Sequence, residues 1–143
     1  MTVKQISIFL ENKPGTMGEL TKVLSDHKID MRALSLAEAS DFGIARIIVD
    51  DVFNAVQVLK DAGYVCSITK VLAVGIPDET GALAKLISHL GENEINIEYI
   101  YAFSTTKRNL AYMIFRVKDN ERATQVLSRH GYQLASQEDL VRL

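Results

Sequence analysis

The sequence contains itself twice. Slid along itself by the separation of Gly15 and Gly81, the chain aligns Asn12 with Asp78, Leu20 with Leu86, Leu24 with Leu90, Ile29 with Ile95, Asp30 with Asn96 and Ile48 with Ile114. After a slip of two residues, Ala55-Val56-Gln57-Val58-Leu59 aligns with Ala123-Thr124-Gln125-Val126-Leu127, and Gly63-Tyr64 with Gly131-Tyr132. An internal duplication requires each copy to build the same elements in the same order. At 143 residues it predicts two units, residues 1–68 and 69–143. Units this small are near the size at which one core is only marginally sufficient, so the halves are expected to pack on each other.

The first copy reads as βαββαβ. Ile6, Ile8 and Leu10 alternate with Ser7 and Phe9, which is strand periodicity over residues 3–11, whereas Met17, Leu20 and Leu24 have helical spacing over 16–27. Between them Pro14-Gly15 breaks the strand, and Thr16 with Glu19 predicts a capping box at the helix start. A second strand is expected over 31–39, a turn at Asp41-Phe42-Gly43 and a third strand over 44–50. Val52, Ala55, Val56 and Leu59 mark a second helix that stops at Gly63, and residues 64–67 close the unit as a short fourth strand.

The second copy repeats this order: strand 69–76, helix 80–91, strands 96–105 and 109–117, helix 120–130 and strand 131–136. The fold class that follows is α+β: two tandem ferredoxin-like units, each an antiparallel sheet with both helices on one face. In such a unit the second and fourth strands lie at the edges. Residues 31–39 and 97–103 carry few charges to guard an edge and are expected to pair with each other. The tail from Ser136 to Leu143 is amphipathic, with Leu140 and Leu143 available to pack back.

Several function classes are excluded at this level. Net charge is −2, from 16 basic and 18 acidic side chains with no long block of either sign, which disfavours a nucleic-acid or anionic-membrane surface. Cys66 is the single cysteine, so neither an intrachain disulfide nor a thiolate metal cage is expected. No stretch reads as a signal peptide or a bilayer span, and the expected location is the cytoplasm. His27, His89 and His130 are scattered, without a Cys, Ser or carboxylate at a spacing that suggests a nucleophile–base pair or a metal site. No phosphate-binding glycine motif is present. The reading is therefore a protein without catalysis, cofactor or metal.

The repeated turn is the candidate site. A strand-to-helix junction leaves N–H groups at Gly15, Thr16 and Met17 near the positive end of the helix, which suits a carboxylate. Each copy carries an Asn/Asp-x-x-Gly turn, Asn12-Lys13-Pro14-Gly15 and Asp78-Glu79-Thr80-Gly81, then the two leucines, then Ile-Asp-Met or Ile-Asn-Ile at the entry to the next strand. Over essentially the whole chain this pattern resembles tandem ACT domains, the small-molecule sensing modules of amino-acid-metabolism enzymes such as phosphoglycerate dehydrogenase, aspartate kinase and acetolactate synthase.

The resemblance implies a stand-alone regulatory protein that binds a free amino acid between its two units, or a subunit that regulates such an enzyme in trans. In the serine-binding type, the polar residue three before the turn glycine and the one opening the second strand of the neighbouring unit hold the ligand. Carried onto this chain, one site comprises Asn12, Pro14, Gly15, Thr16, Met17, Asn96, Ile97 and Tyr99, and a weaker one Asp78, Gly81, Ala82, Leu83, Asp30 and Met31. Amide oxygens of Asn12 and Asn96 can accept from an ammonium, whereas the Asp pair repels a ligand carboxylate. Tyr99 and Tyr101 follow Asn96, so an aromatic or imidazole ligand side chain could stack there.

The competing reading is an RNA-binding module of the RNA-recognition-motif type, which shares the βαββαβ order. Arg108 to Phe115 partly mimics its third-strand signature, but Leu110 stands where a stacking aromatic is needed, and strand 69–76 offers no aromatic platform. A sheet face left uncovered by helices, with few charges, further predicts a homodimer.

Overall fold

The computed structural model describes residues 1–143. The chain divides into an N-terminal unit, Lys4–Thr69, and a C-terminal unit, Lys70–Leu143 together with Met1–Val3.

In the N-terminal unit, β1 (Val3–Glu11), α1 (Thr16–Asp26), β2 (Met31–Ala39), β3 (Phe42–Val49), α2 (Val52–Asp61) and the start of β4 (Cys66–Pro77) follow in order. The strands lie β2-β3-β1-β4, with β3 antiparallel to both β1 and β2. Ile6, Ile8 and Leu10 face the helices and meet Leu20 and Leu24 of α1 and Ala55 and Leu59 of α2, all buried. The alternation of β1 that identifies it as a strand is thus the alternation between this core and the opposite, helix-free face.

The C-terminal unit uses the rest of β4, then α3 (Ala82–Glu92), β5 (Ile97–Phe103), β6 (Leu110–Val117), α4 (Asn120–Arg129), β7 (Gln133–Leu134) and α5 (Gln137–Arg142). Its strands lie β7-β4-β6-β5, all antiparallel. Leu72, Val74 and Ile76 meet Leu86, Leu90, Ala123 and Leu127 in an equivalent core. Both units have the ferredoxin-like strand order, and the fold is two βαββαβ units as expected.

The structure also corrects the sequence reading. Strands 64–67 and 69–76 are one continuous β4 from Cys66, because Ser67-Ile68-Thr69 contains no Gly, Pro, Asn or Asp, and Ile and Thr favour strand. The expected pairing of 31–39 with 97–103 does not form: β2 bonds to β3 and β5 to β6, each within its own unit, and a register shift near the start of each edge strand (Met31/Ala33 and Ile97/Tyr99) twists it. The two-residue slip lies in the second hairpin. Ile6 pairs with Ile47 and Leu72 with Phe115, so the third strands are offset throughout and Ile48 corresponds to Arg116 rather than Ile114.

The capping box at Thr16 is absent. Gly15 is the N-cap with φ 93°, Thr16 is already helical, and its hydroxyl donates back to the Lys13 carbonyl at 3.0 Å. Gly81 repeats the conformation with φ 87°, and glycine takes this left-handed backbone without a Cβ penalty. True side-chain caps occur one helix later in both units, where Asp51 accepts from the Asn54 N–H and Asp119 from the Arg122 N–H. The tail forms α5, fixed by a capping box between Ser136 and Asp139. Leu140 and Leu143 are buried, and the Leu143 carbonyl accepts from the Thr106 N–H at 3.1 Å.

Candidate functional site

The loop after β1 is tied to the hairpin between β2 and β3. The Asn12 N–H donates to the Asp41 carbonyl at 2.9 Å, and Asn12 Nδ2 donates to the Ser40 carbonyl at 2.9 Å. Ser40 has φ 56°, so the side chain of Asn12 fastens a tight turn whose backbone is itself strained. With Nδ2 committed there, Oδ1 is the amide's acceptor for any ligand. Asn12, Gly15, Thr16 and Met17 line one small cavity of about 160 Å³, with Leu36, Ala37 and Gly43 on the facing strands. The Thr16 N–H turns toward the Lys13 carbonyl at a long 3.5 Å. The next two N–H groups, of Met17 and Gly18, belong to the first helical turn and have no partner inside the helix. Pro14 is exposed in the same turn. Lys13 meets Glu11 at 3.0 Å, and that carboxylate, with a smaller contribution from Glu19, holds the Lys13 ammonium pKa above its ordinary value.

Asn96 lines a different cleft, of about 640 Å³, in the C-terminal unit, with Glu98, Lys118, Asn120 and Arg122. One wall is held by Arg122, whose guanidinium donates to the Asn93 carbonyl at 2.6 Å. The register shift in β5 separates the remaining candidates: Ile97 packs against the helix-side core, while Tyr99 pairs with Arg116 and stacks near Tyr101 at 6.4 Å.

The second candidate set draws on both units. The Asp78 N–H donates to the Asn109 carbonyl at 2.9 Å, repeating the backbone bond of Asn12, but a carboxylate cannot repeat the amide's second bond. Gly81 is the helix cap, and Ala82 and Leu83 pack against the C-terminal core. Asp30 is paired with Arg32 at 3.3 Å and lines a shallow cleft with Met31, Thr21 and Lys28. Met31 itself packs against the N-terminal core.

A cluster missed by sequence reasoning lies in the C-terminal unit. His89 and His130 stack with centroids 3.8 Å apart, and Tyr132 meets His89 edge-on. Nothing in the spacing of the two histidines announces the contact, which depends on how α3 packs beside α4. No group of three or more His, Cys, Asp or Glu side chains is placed to hold a metal, and no helix is long and apolar enough to cross a membrane.

The ACT domain pair family matches residues 1–143. A comparison with curated proteins found no match. Among solved structures, the chain is similar to protein BT0572 from Bacteroides thetaiotaomicron at 39% identity, with 100% of this chain and 98% of that one covered and a TM-score of 0.91. It is also similar to the regulatory subunit of aspartate kinase from Thermus thermophilus, at 16% identity, 90% and 92% coverage and a TM-score of 0.67. The corresponding subunit from Thermus flavus gives 15% identity, 88% and 90% coverage and 0.61. At these identities the two kinase subunits share the fold. A duplicated ferredoxin-like sheet, a glycine-capped helix at each repeated turn and a match over the full sequence lead to one assignment: the chain belongs to the ACT domain pair family.

Proposed function

We propose that this protein is a regulatory sensor that binds a free amino acid and performs no catalysis. The observation that carries the reading is the Asn12 loop, where one amide fastens the loop to the β2–β3 hairpin and keeps an oxygen for a ligand beside helix N–H groups suited to a carboxylate. In this reading the α-carboxylate sits over Met17 and the ammonium donates to Asn12 Oδ1. Asn96 is the amide proposed to complete the site, with Ile97 and Tyr99 on its strand; the Asp78 and Asp30 set, with Met31, Gly81, Ala82 and Leu83, is a weaker site. The likeness in fold to aspartate kinase regulatory subunits supports a regulatory role. The proposal makes the protein a cytoplasmic homodimer that acts on an amino-acid-metabolism enzyme.

The dimer surface proposed is the part of the helix-free face of the N-terminal sheet next to the β2–β3 turn, where Phe9 and Phe42 are 49% and 46% exposed, whereas Val3, Gln5 and Ile48 on the same face are buried. Sedimentation is expected to give twice the 15.9 kDa chain mass, and a strict monomer at tens of micromolar counts against that surface.

The test of sensing is a thermal-shift screen of the common amino acids, with an RNA pool as the opposing control. A ligand at about a hundredfold above its dissociation constant stabilises by roughly 2.7 kcal/mol, which at this chain length raises the midpoint by several degrees. Asn12→Ala should abolish the shift. If no amino acid moves the midpoint while RNA raises it in a salt-sensitive way, the sensing reading is wrong.

A further inference from the structure

The His89–His130 stack lies in a cleft of about 390 Å³, separate from the Asn12 loop, that also presents Lys85, Glu79 and Tyr132. A cleft of this size is in the range that small molecules occupy. Its side chains are not fully satisfied by the protein. His89 Nδ1 is buried with no hydrogen-bond partner, whereas the same atom of His130 lies 2.9 Å from the Val126 carbonyl and that of His27 2.9 Å from the Val23 carbonyl. Buried polar atoms without partners are rare enough to call for an explanation.

The N-terminal unit supplies an internal control. At the positions of His89, His130 and Tyr132 it has Val23, Ala62 and Tyr64, and it has Glu19 for Lys85 and Lys13 for Glu79. The charges are reversed. There Lys13 is taken by Glu11, and the Tyr64 hydroxyl pKa is raised, first by burial and then by the charge of Glu19, so this corner of the first copy carries a negative charge beside its tyrosine. Leu20 and Leu86, Leu24 and Leu90, and the capping glycines Gly63 and Gly131 keep the frame alike. The two copies therefore share a backbone and differ at the residues that would meet a ligand.

We propose that this cleft of the C-terminal unit is a binding site for a small molecule bearing one carboxylate and a flat ring. Lys85 supplies the positive charge for the carboxylate, and a small rotation of the His89 ring toward the cleft gives its buried nitrogen a ligand oxygen as partner. The ring extends the stack on the face of His130 that His89 leaves free. Glu79 on the same wall disfavours a second negative charge, which selects a monocarboxylate over a phosphate.

The experiment follows the ring resonances of His27, His89 and His130 by NMR in the full chain during titration with benzoate, acetate or inorganic phosphate. Benzoate should shift His89 and His130 saturably, leave His27 in place and bind tighter than acetate or phosphate. Lys85→Glu, which installs the residue of the first copy, should weaken it at least about tenfold. Lys85→Gln should weaken it in the same direction, and because Lys85 is exposed neither change disturbs the core. Asn12→Ala should leave benzoate binding unchanged, so that failure here and failure of amino-acid sensing are told apart. A response that never saturates, tighter binding of phosphate, or unchanged affinity in both Lys85 variants would overturn the proposal.

Discussion

At the same point of their sheets, the N-terminal unit sets Phe9 opposite Ile44 and the C-terminal unit sets Gly75 opposite Tyr112. The backbone register is the same, but the bulk has moved to the neighbouring strand. Phe9 remains 49% exposed, whereas Tyr112 is only 8% exposed and packs edge-on against Phe103. Its ring lies where a Cβ on Gly75 would come within 3.1 Å, so any side chain there would have to push the ring aside. On the helix side the copies stay apolar throughout and keep Leu20/Leu86, Leu24/Leu90, Ala55/Ala123 and Leu59/Leu127 unchanged; on the opposite face and around the turns they differ in kind. Duplication has kept what packs the helices and released what meets solvent, ligand or partner.

The strongest way to break this comparison is in the matched cores. Leu20 and Leu86 are both fully buried, so each change to Ala should cost about 2–5 kcal/mol, measured by chemical denaturation, and the two costs should be similar. A large inequality would show that the cores are less alike than their residues suggest. Next comes the strand pair that differs. Gly75→Ala should destabilise by about 1–3 kcal/mol through overpacking against Tyr112, while Phe9→Ala should leave the stability of the monomer nearly unchanged.

Asn12→Asp would give the first turn the acid of the second. It removes the bond to the Ser40 carbonyl and should cost about 0.5–1.5 kcal/mol by the same measurement, whereas Asp78→Asn should cost little. At the ends of the first helices, Lys28 and Glu94 both have left-handed backbones, with φ of 56° and 57°. Replacing either with glycine should stabilise by up to about 1 kcal/mol, the part of the left-handed penalty that glycine's extra chain entropy does not cancel.

The smallest expected effect belongs to the tail, which the first copy has no counterpart for. Hydrogen bonds from Ser136 hold the Asp139 carboxyl below its ordinary value of 3.8. A depressed carboxylate stabilises the fold above the unfolded value, and that contribution is lost as pH falls through the folded one. NMR signals of residues 137–142 should therefore broaden or shift on acidification below about pH 4, and Asp139→Asn should remove that dependence.

Much of this is legible in the sequence, because periodicity and repetition act over short stretches. The alternation of Ile6, Ile8 and Leu10 and the leucine spacing of α1 and α3 determine the elements and their buried faces. The turn glycines marked where the first helices start, although the conformation of Gly15, rather than the hydroxyl of Thr16, sets the boundary. What escaped the sequence depends on distant segments meeting. The bond from Asn12 to Ser40 requires the hairpin to fold over the loop, and the His89–His130 stack requires two helices to pack at one depth. The continuity of β4 was missed for a different reason: a repeat boundary in sequence does not oblige the chain to turn.

Met1–Val3 group with the C-terminal unit although they open the chain, and Val3 is fully buried. The C-terminal unit is thus completed by residues that lie on the far side of the N-terminal repeat in the chain. A gene split at the repeat boundary would separate the second repeat from them, and its product should be less stable than the same unit in the full chain.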